Sequence, residues 1–178
     1  MKRWARKAAS AAVAAWFMFN GVSIGQVLIL GVTPTQNQNT EERKADEILA
    51  RLGVPLQRDV EGVVRWIEAA KGEMSDEAIG HLPALPKLEW LEIGGGRVSA
   101  AGLVPLKNCV SLRRLYIHDV RLDNDELAWL SDLTGLEALS LQRTEISGRV
   151  LKNIKAVDTL KVLNLSGNGI NDADMDFI

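Results

Sequence analysis

Two glutamates, Glu68 and Glu92, lie 24 residues apart, and each follows a tryptophan by two positions, Trp66 and Trp90. Paired carboxylates can share acid–base work when burial separates their proton affinities. His118, with Glu92 and Ser140, offers the residue types of a hydrolytic triad. Neither reading brings its supporting motif. No nucleophile elbow or glycine-rich oxyanion loop is present, and no pocket is signalled around the glutamates. Asp172, Asp174 and Asp176 alternate like the start of a calcium loop, but Phe177 stands where the sharp-turn glycine belongs and no closing glutamate follows. They suit the first turn of a helix, where the dipole favours acids. Gly94-Gly95-Gly96 lacks the lysine and spacing of a phosphate loop and reads as a loose turn after a strand. His81 has no second ligand nearby, and Cys109 reads as a small buried hydrophobe. The expectation is therefore a non-enzyme with no cofactor and no metal. What remains is binding. Trp66, Trp90, Arg114 and Tyr116 are the residue types that dominate interaction hot spots.

A period positions these residues. Leu88, Leu112, Leu136 and Leu160 are spaced by 24, as are Leu91, Leu115, Leu139 and Leu163, and Ile93, Ile117, Leu141 and Leu165. L-x-x-L-x-L thus occurs four times. Val98, Leu122, Ile146 and Ile170 continue the match, as do Leu103, Leu127, Leu151 and Met175. Val64, Ile67 and Ala69 form a degenerate fifth copy upstream. Within each copy, L-x-L alternates at period two and points inward from a short strand. Ser75, Ser99, Asp123, Ser147 and Asn171 then occupy one column of good helix caps, and Glu126 completes a capping box with Asp123.

This pattern resembles the leucine-rich-repeat family, most nearly its 24-residue forms in bacterial surface proteins and in ribonuclease-inhibitor and F-box types. The resemblance covers about Val60 to Ile178 and implies an α/β solenoid, with parallel strands on the concave face and short helices on the convex face. The family's buried asparagine appears only at Asn168; Gly72, Gly96, Val120 and Thr144 stand at the equivalent positions. The resemblance specifies a fold and leaves the ligand open. The concave face would carry three outward columns. The first is Trp66, Trp90, Arg114, Ala138 and Val162. The second is Glu68, Glu92, Tyr116, Ser140 and Asn164. The third is Ala70, Gly94, His118, Gln142 and Ser166. Trp66, Glu68, Trp90, Glu92, Arg114, Tyr116, His118 and Gln142 are the candidate partner-binding residues, for a protein or peptide. The alternative is ladder packing in a structural spacer with no dedicated ligand.

Such a stack needs closed ends. TEERKADEILARLG, capped by Thr40, has acids in its first turn, Ala45, Ile48, Leu49 and Leu52 on one face, and Gly53 as its stop. Residues 41–59 are read as an N-terminal cap, and 60–178 as about five repeats. The last repeat stops at Ile178, a core-column position, as in a fragment of a longer array or an end covered by a partner.

Residues 1–7 carry Lys2, Arg3, Arg6 and Lys7 without an acid, and residues 8–32 carry no charge. Twenty-five residues make a helix of about 37 Å, enough for a hydrocarbon core of about 30 Å. A transmembrane signal anchor fits. So does a signal peptide cleaved near Ser23 or Gly25, although cleavage would leave the apolar stretch Ile24 to Val32 at the mature N-terminus. Both readings put the repeats outside the cytoplasm, in a bacterial periplasm or cell surface or a secretory lumen, either membrane-tethered or secreted. Residues 33–40 (TPTQNQNT) form a linker. Beyond residue 40 the chain holds 17 basic and 23 acidic side chains, a balance that argues against nucleic acid. The single cysteine rules out a disulfide framework within the chain.

Overall fold

The computed structural model describes residues 40–177 apart from 96 and 123, with backbone alone at 124–126 and 175–177. The basic flank, the charge-free segment 8–32 and residues 33–39 of the linker lie outside the described residues. So does the side-chain pairing expected of Asp123 and Glu126. Among the described residues no helix is long and apolar enough to cross a membrane.

The architecture is mixed α/β. Helix α1 (Thr40–Arg51) leads into β1 (Leu56–Arg58) and β2 (Val64–Ala69). Then come α2 (Asp76–His81), β3 (Trp90–Gly94), β4 (Arg114–His118), β5 (Ala138–Gln142), α3 (Leu151–Ile154) and β6 (Val162–Asn164). One six-stranded sheet contains the strands in sequence order. β2 to β6 run parallel, and each residue pairs with the one 24 positions later: Ile67 with Leu91, Leu91 with Leu115, Leu115 with Leu139, Leu139 with Leu163. The inward side chains Leu91, Ile93, Leu115, Ile117, Leu139 and Leu141 are fully buried, as period-two alternation over an apolar core requires.

The connections differ from expectation. The short helices that follow the strands are mostly 3-10 rather than α: Leu82–Ala84, Ala101–Asn108, Asn124–Asp132, Gly148–Val150 and Asp172–Phe177. A unit of 24 residues must leave a strand, cross the core and return, and a 3-10 helix covers more distance per residue. Pro83 and Pro105 sit inside two of these helices and cannot donate to an α-helical ladder. The cap column behaves unevenly. Ser75 Oγ accepts from Ala78 N, Ser99 Oγ from Gly102 N, and Asn171 Oδ1 from Ala173 N. Ser147 begins its helix without a side-chain cap bond. Asn168 bridges two units: its amide donates to the carbonyls of Leu141 and Leu165, and its Oδ1 accepts from Thr144 N. Thr144, fully buried one unit earlier, donates its hydroxyl to Leu141 O.

The N-terminal cap docks. Thr40 is the first residue of α1 rather than lying outside it. Gly53, at φ 79°, ends the helix. Its N–H bonds to Ala50 O, and Val54 N bonds to Leu49 O, the paired bonds of a Schellman stop. Leu49 and Ala45 are buried in the core against α2 and the helix Leu82–Ala84. The stretch expected simply to cover the end instead contains β1, which adds antiparallel to β2 with Leu56 opposite Ile67. An ion pair from Arg58 to Asp46 ties this strand to α1.

Charges one position before the outward tryptophan column alternate in sign along the sheet: Arg65, Glu89, Arg113, Glu137 and Lys161. Arg65 pairs with both Asp59 and Glu89. Glu137 pairs with Lys161 at 3.0 Å, and that ammonium holds its carboxyl below the usual range, with a smaller contribution from Arg113.

Candidate binding face of the sheet

Alternation brings the three outward columns to one face, in register across four strands. Trp66 lies beside Trp90, and Trp90 beside Arg114; Glu68 lies beside Glu92, and Glu92 beside Tyr116; Gly94 lies beside His118, and His118 beside Gln142. Trp66, Trp90, Glu92, Tyr116, His118 and Gln142 are half-buried, whereas Glu68 and Arg114 are exposed. All eight candidate residues therefore belong to one surface. Trp90 meets Tyr116 edge-on, with ring centroids 5.9 Å apart and planes at 86°, a preferred aromatic geometry. On β5 the face is covered, whereas β6 is exposed throughout. Ala138 and Ser140, expected to point to solvent, are buried. Their short side chains lie one strand from Arg114 and Tyr116, their partners in register, and do not reach past such neighbours.

His118 does not serve a triad. Ser140 pairs in register with Tyr116, and no hydrogen bond joins it to His118 among the described residues. The imidazole instead lies between two carboxylates, with Nδ1 2.9 Å from Asp119 Oδ2 and Nε2 3.4 Å from Glu92 Oε1. Arg143 grips Asp119 from the next unit through two hydrogen bonds of 2.7 and 2.8 Å. The result is a chain of polar contacts: Glu92, His118, Asp119, Arg143. Gly94 makes room for it. A Cβ there would stand 2.3 Å from His118 Cε1 and 2.4 Å from Ala70 O. Gly94 is thus a strand residue beneath the imidazole, not part of a loose turn; Gly95, at φ 61°, makes the turn.

Asp119 and Arg143 were not legible as site residues. They occupy a column, with Gly95 and Gly167, in which the backbone is left-handed in the four copies after the first, at φ 61°, 57°, 52° and 75° in sequence order. Two of the four are not glycine, and holding a non-glycine residue there costs roughly 1 to 3 kcal/mol. Opposite charges 24 residues apart just after a strand were the available signal.

The Arg143 guanidinium, and after it His118, holds the Asp119 carboxyl well below the usual carboxylate range. A depressed folded-state pKa contributes stability above the unfolded value, about pH 4, and that stability is lost as pH falls through the folded value. Asp119→Asn keeps the shape and removes the charge. Its stability deficit relative to wild type is expected to be full at neutral pH and to shrink as pH drops below about 4. Urea unfolding at several pH values checks this; a deficit independent of pH would disprove the charge role.

Cys109 is buried, and burial pushes its thiol up to about 12, so it carries almost no thiolate. Asp174 accepts from Asn171 N in the first turn of its helix. No cluster of three or more metal-ligating side chains occurs among the described residues.

No protein-family model matches the chain. A stretch of 89 residues, 49% of the chain, is 34% identical to the receptor-like protein EIX1 of Solanum lycopersicum. The likeness spans 9% of that protein's length. That relative belongs to a leucine-rich-repeat family, which supports the repeat reading of the chain.

Proposed function

We propose that residues 60–178 are a leucine-rich-repeat solenoid closed at its N-terminal end by α1 and β1, and that it works as a non-enzymatic scaffold binding a protein or peptide. The outward face of the sheet is its concave, binding side. The observation that carries this is the in-register cluster of Trp66, Trp90, Arg114 and Tyr116 on that face. A rigid array of parallel strands holds these side chains without ordering them anew on binding, so little affinity is spent on immobilising them. The likeness to a receptor-like protein is in keeping with an interaction role.

Truncating Trp90 or Tyr116 to alanine should cost at least about 1 to 2 kcal/mol of partner affinity with the fold intact, since neither is a core residue. Lys107→Ala, on a connecting helix, serves as control. Affinity capture with the full chain and these variants, followed by titration of the captured partner, tests the assignment. Partner binding that ignores the aromatic substitutions would remove the face as the site; failure to capture any partner favours the spacer reading.

We read residues 8–32 as the tether that presents this scaffold on the far side of a membrane. The support is the charge-free length and the basic flank. Full-length protein should then stay with membranes through carbonate extraction. A soluble mature form beginning near Ile24 or Gln26 would replace the anchor with a cleaved signal.

A further inference from the structure

Strands β2 and β3 present the same outward pattern twice, Trp66-Ile67-Glu68 and Trp90-Leu91-Glu92, and the register sets tryptophan beside tryptophan and glutamate beside glutamate. Neighbouring strands lie about 4.8 Å apart, so two indoles and two carboxylates share a patch two strands wide and three residues long. Like charges directly opposite each other on a sheet are unfavourable by themselves. The nearby guanidinium groups do not relieve this pair. Arg65 is engaged with Asp59 and Glu89, and Arg143 with Asp119. His118 reaches Glu92 but also Asp119. No ion pair joins Arg114 to either glutamate among the described residues. Glu68 is exposed and makes no hydrogen bond or ion pair with any described residue. Indole rings and carboxylates are the two protein chemistries that stabilise an ammonium or guanidinium group.

We propose that the paired Trp-x-Glu strands form a subsite for a basic side chain, lysine or arginine, of the bound polypeptide. This rests on the binding-face reading and gives its partner a chemistry. A cation placed between Glu68 and Glu92 replaces their mutual repulsion with two attractions, while its alkyl stem lies against Trp66 and Trp90. An acidic side chain in the same place meets two like charges, so the patch selects as well as binds.

The probe is a random dodecapeptide display library selected on the full chain, followed by Kd measurements on the selected peptides. Selected sequences should share a lysine or arginine, and replacing it with norleucine should weaken binding about tenfold. Glu68→Gln is isosteric at an exposed position. It should weaken the basic peptide to a similar degree and leave the norleucine peptide unchanged, which locates the contact. Peptides that depend on Trp90 but lack a basic residue and ignore Glu68→Gln would overturn the subsite and leave the binding face standing. Peptides indifferent to both Trp90→Ala and Glu68→Gln, or a library that yields none above background, would overturn both.

Discussion

Leu49→Ala is expected to lower the unfolding free energy by about 2 to 5 kcal/mol. Leu49 is fully buried, and its carbonyl accepts the Val54 N–H that closes α1. Its side chain is the main apolar contribution of α1 to the core beneath the first repeat, where it packs with Ala45 and Val54. A truncated side chain there leaves a cavity that the rigid sheet cannot fill, because β1 and the Arg58–Asp46 ion pair fix α1 in place. Because each unit in such a stack packs only on its neighbours, the loss should begin at one end. Hydrogen exchange should show amides of β2 and α2 losing protection before those of β4 and β5. A change below about 0.5 kcal/mol, well under the usual cost of this truncation, would mean that the helix is not docked in solution.

Gly94→Ala should cost about 1 to 3 kcal/mol and disturb the binding face at once. The added methyl meets a side chain that can move, His118, and a carbonyl oxygen that cannot, Ala70 O. Swinging the imidazole away breaks its approaches to both Glu92 and Asp119, while the backbone contact remains. Two readouts follow: a lower urea midpoint, and an altered NMR environment for the His118 ring. Unchanged stability with an unmoved ring would show that the strand edge yields more than the close packing implies. Gly95→Ala is the companion variant. It strains a left-handed turn but leaves the imidazole where it is.

The strands and their outward columns were legible because a period of 24 fixes two things together. It states which residues stack and, through alternation inside L-x-L, which face they take. Trp66, Trp90 and Arg114 therefore fell into register as read. The elements that escaped are those without a period. β1 is three residues long with one apolar side chain, and only the open edge of β2 makes it a strand. The 3-10 form of the connections depends on how far a short link must reach, which hydrophobic spacing does not encode. Burial of Ala138 and Ser140 depends on the reach of neighbouring side chains rather than on their own polarity. The Asp119–Arg143 grip depends on a left-handed turn that glycine would ordinarily mark, and neither residue is glycine.

The alternating column of Arg65, Glu89, Arg113, Glu137 and Lys161 bears on how such a chain can lengthen or shorten by recombination. The core columns are nearly interchangeable, so packing alone would let any 24-residue unit follow any other. The charges double the period to 48. Excising residues 89–112 would bring Arg65 against Arg113, a destabilising like-charge neighbour on adjacent strands. Excising 89–136 would bring Arg65 against Glu137 and restore an attraction. Gene-level gain or loss of repeats is thereby biased toward even numbers, and tandem duplications should be tolerated more readily in twos than singly.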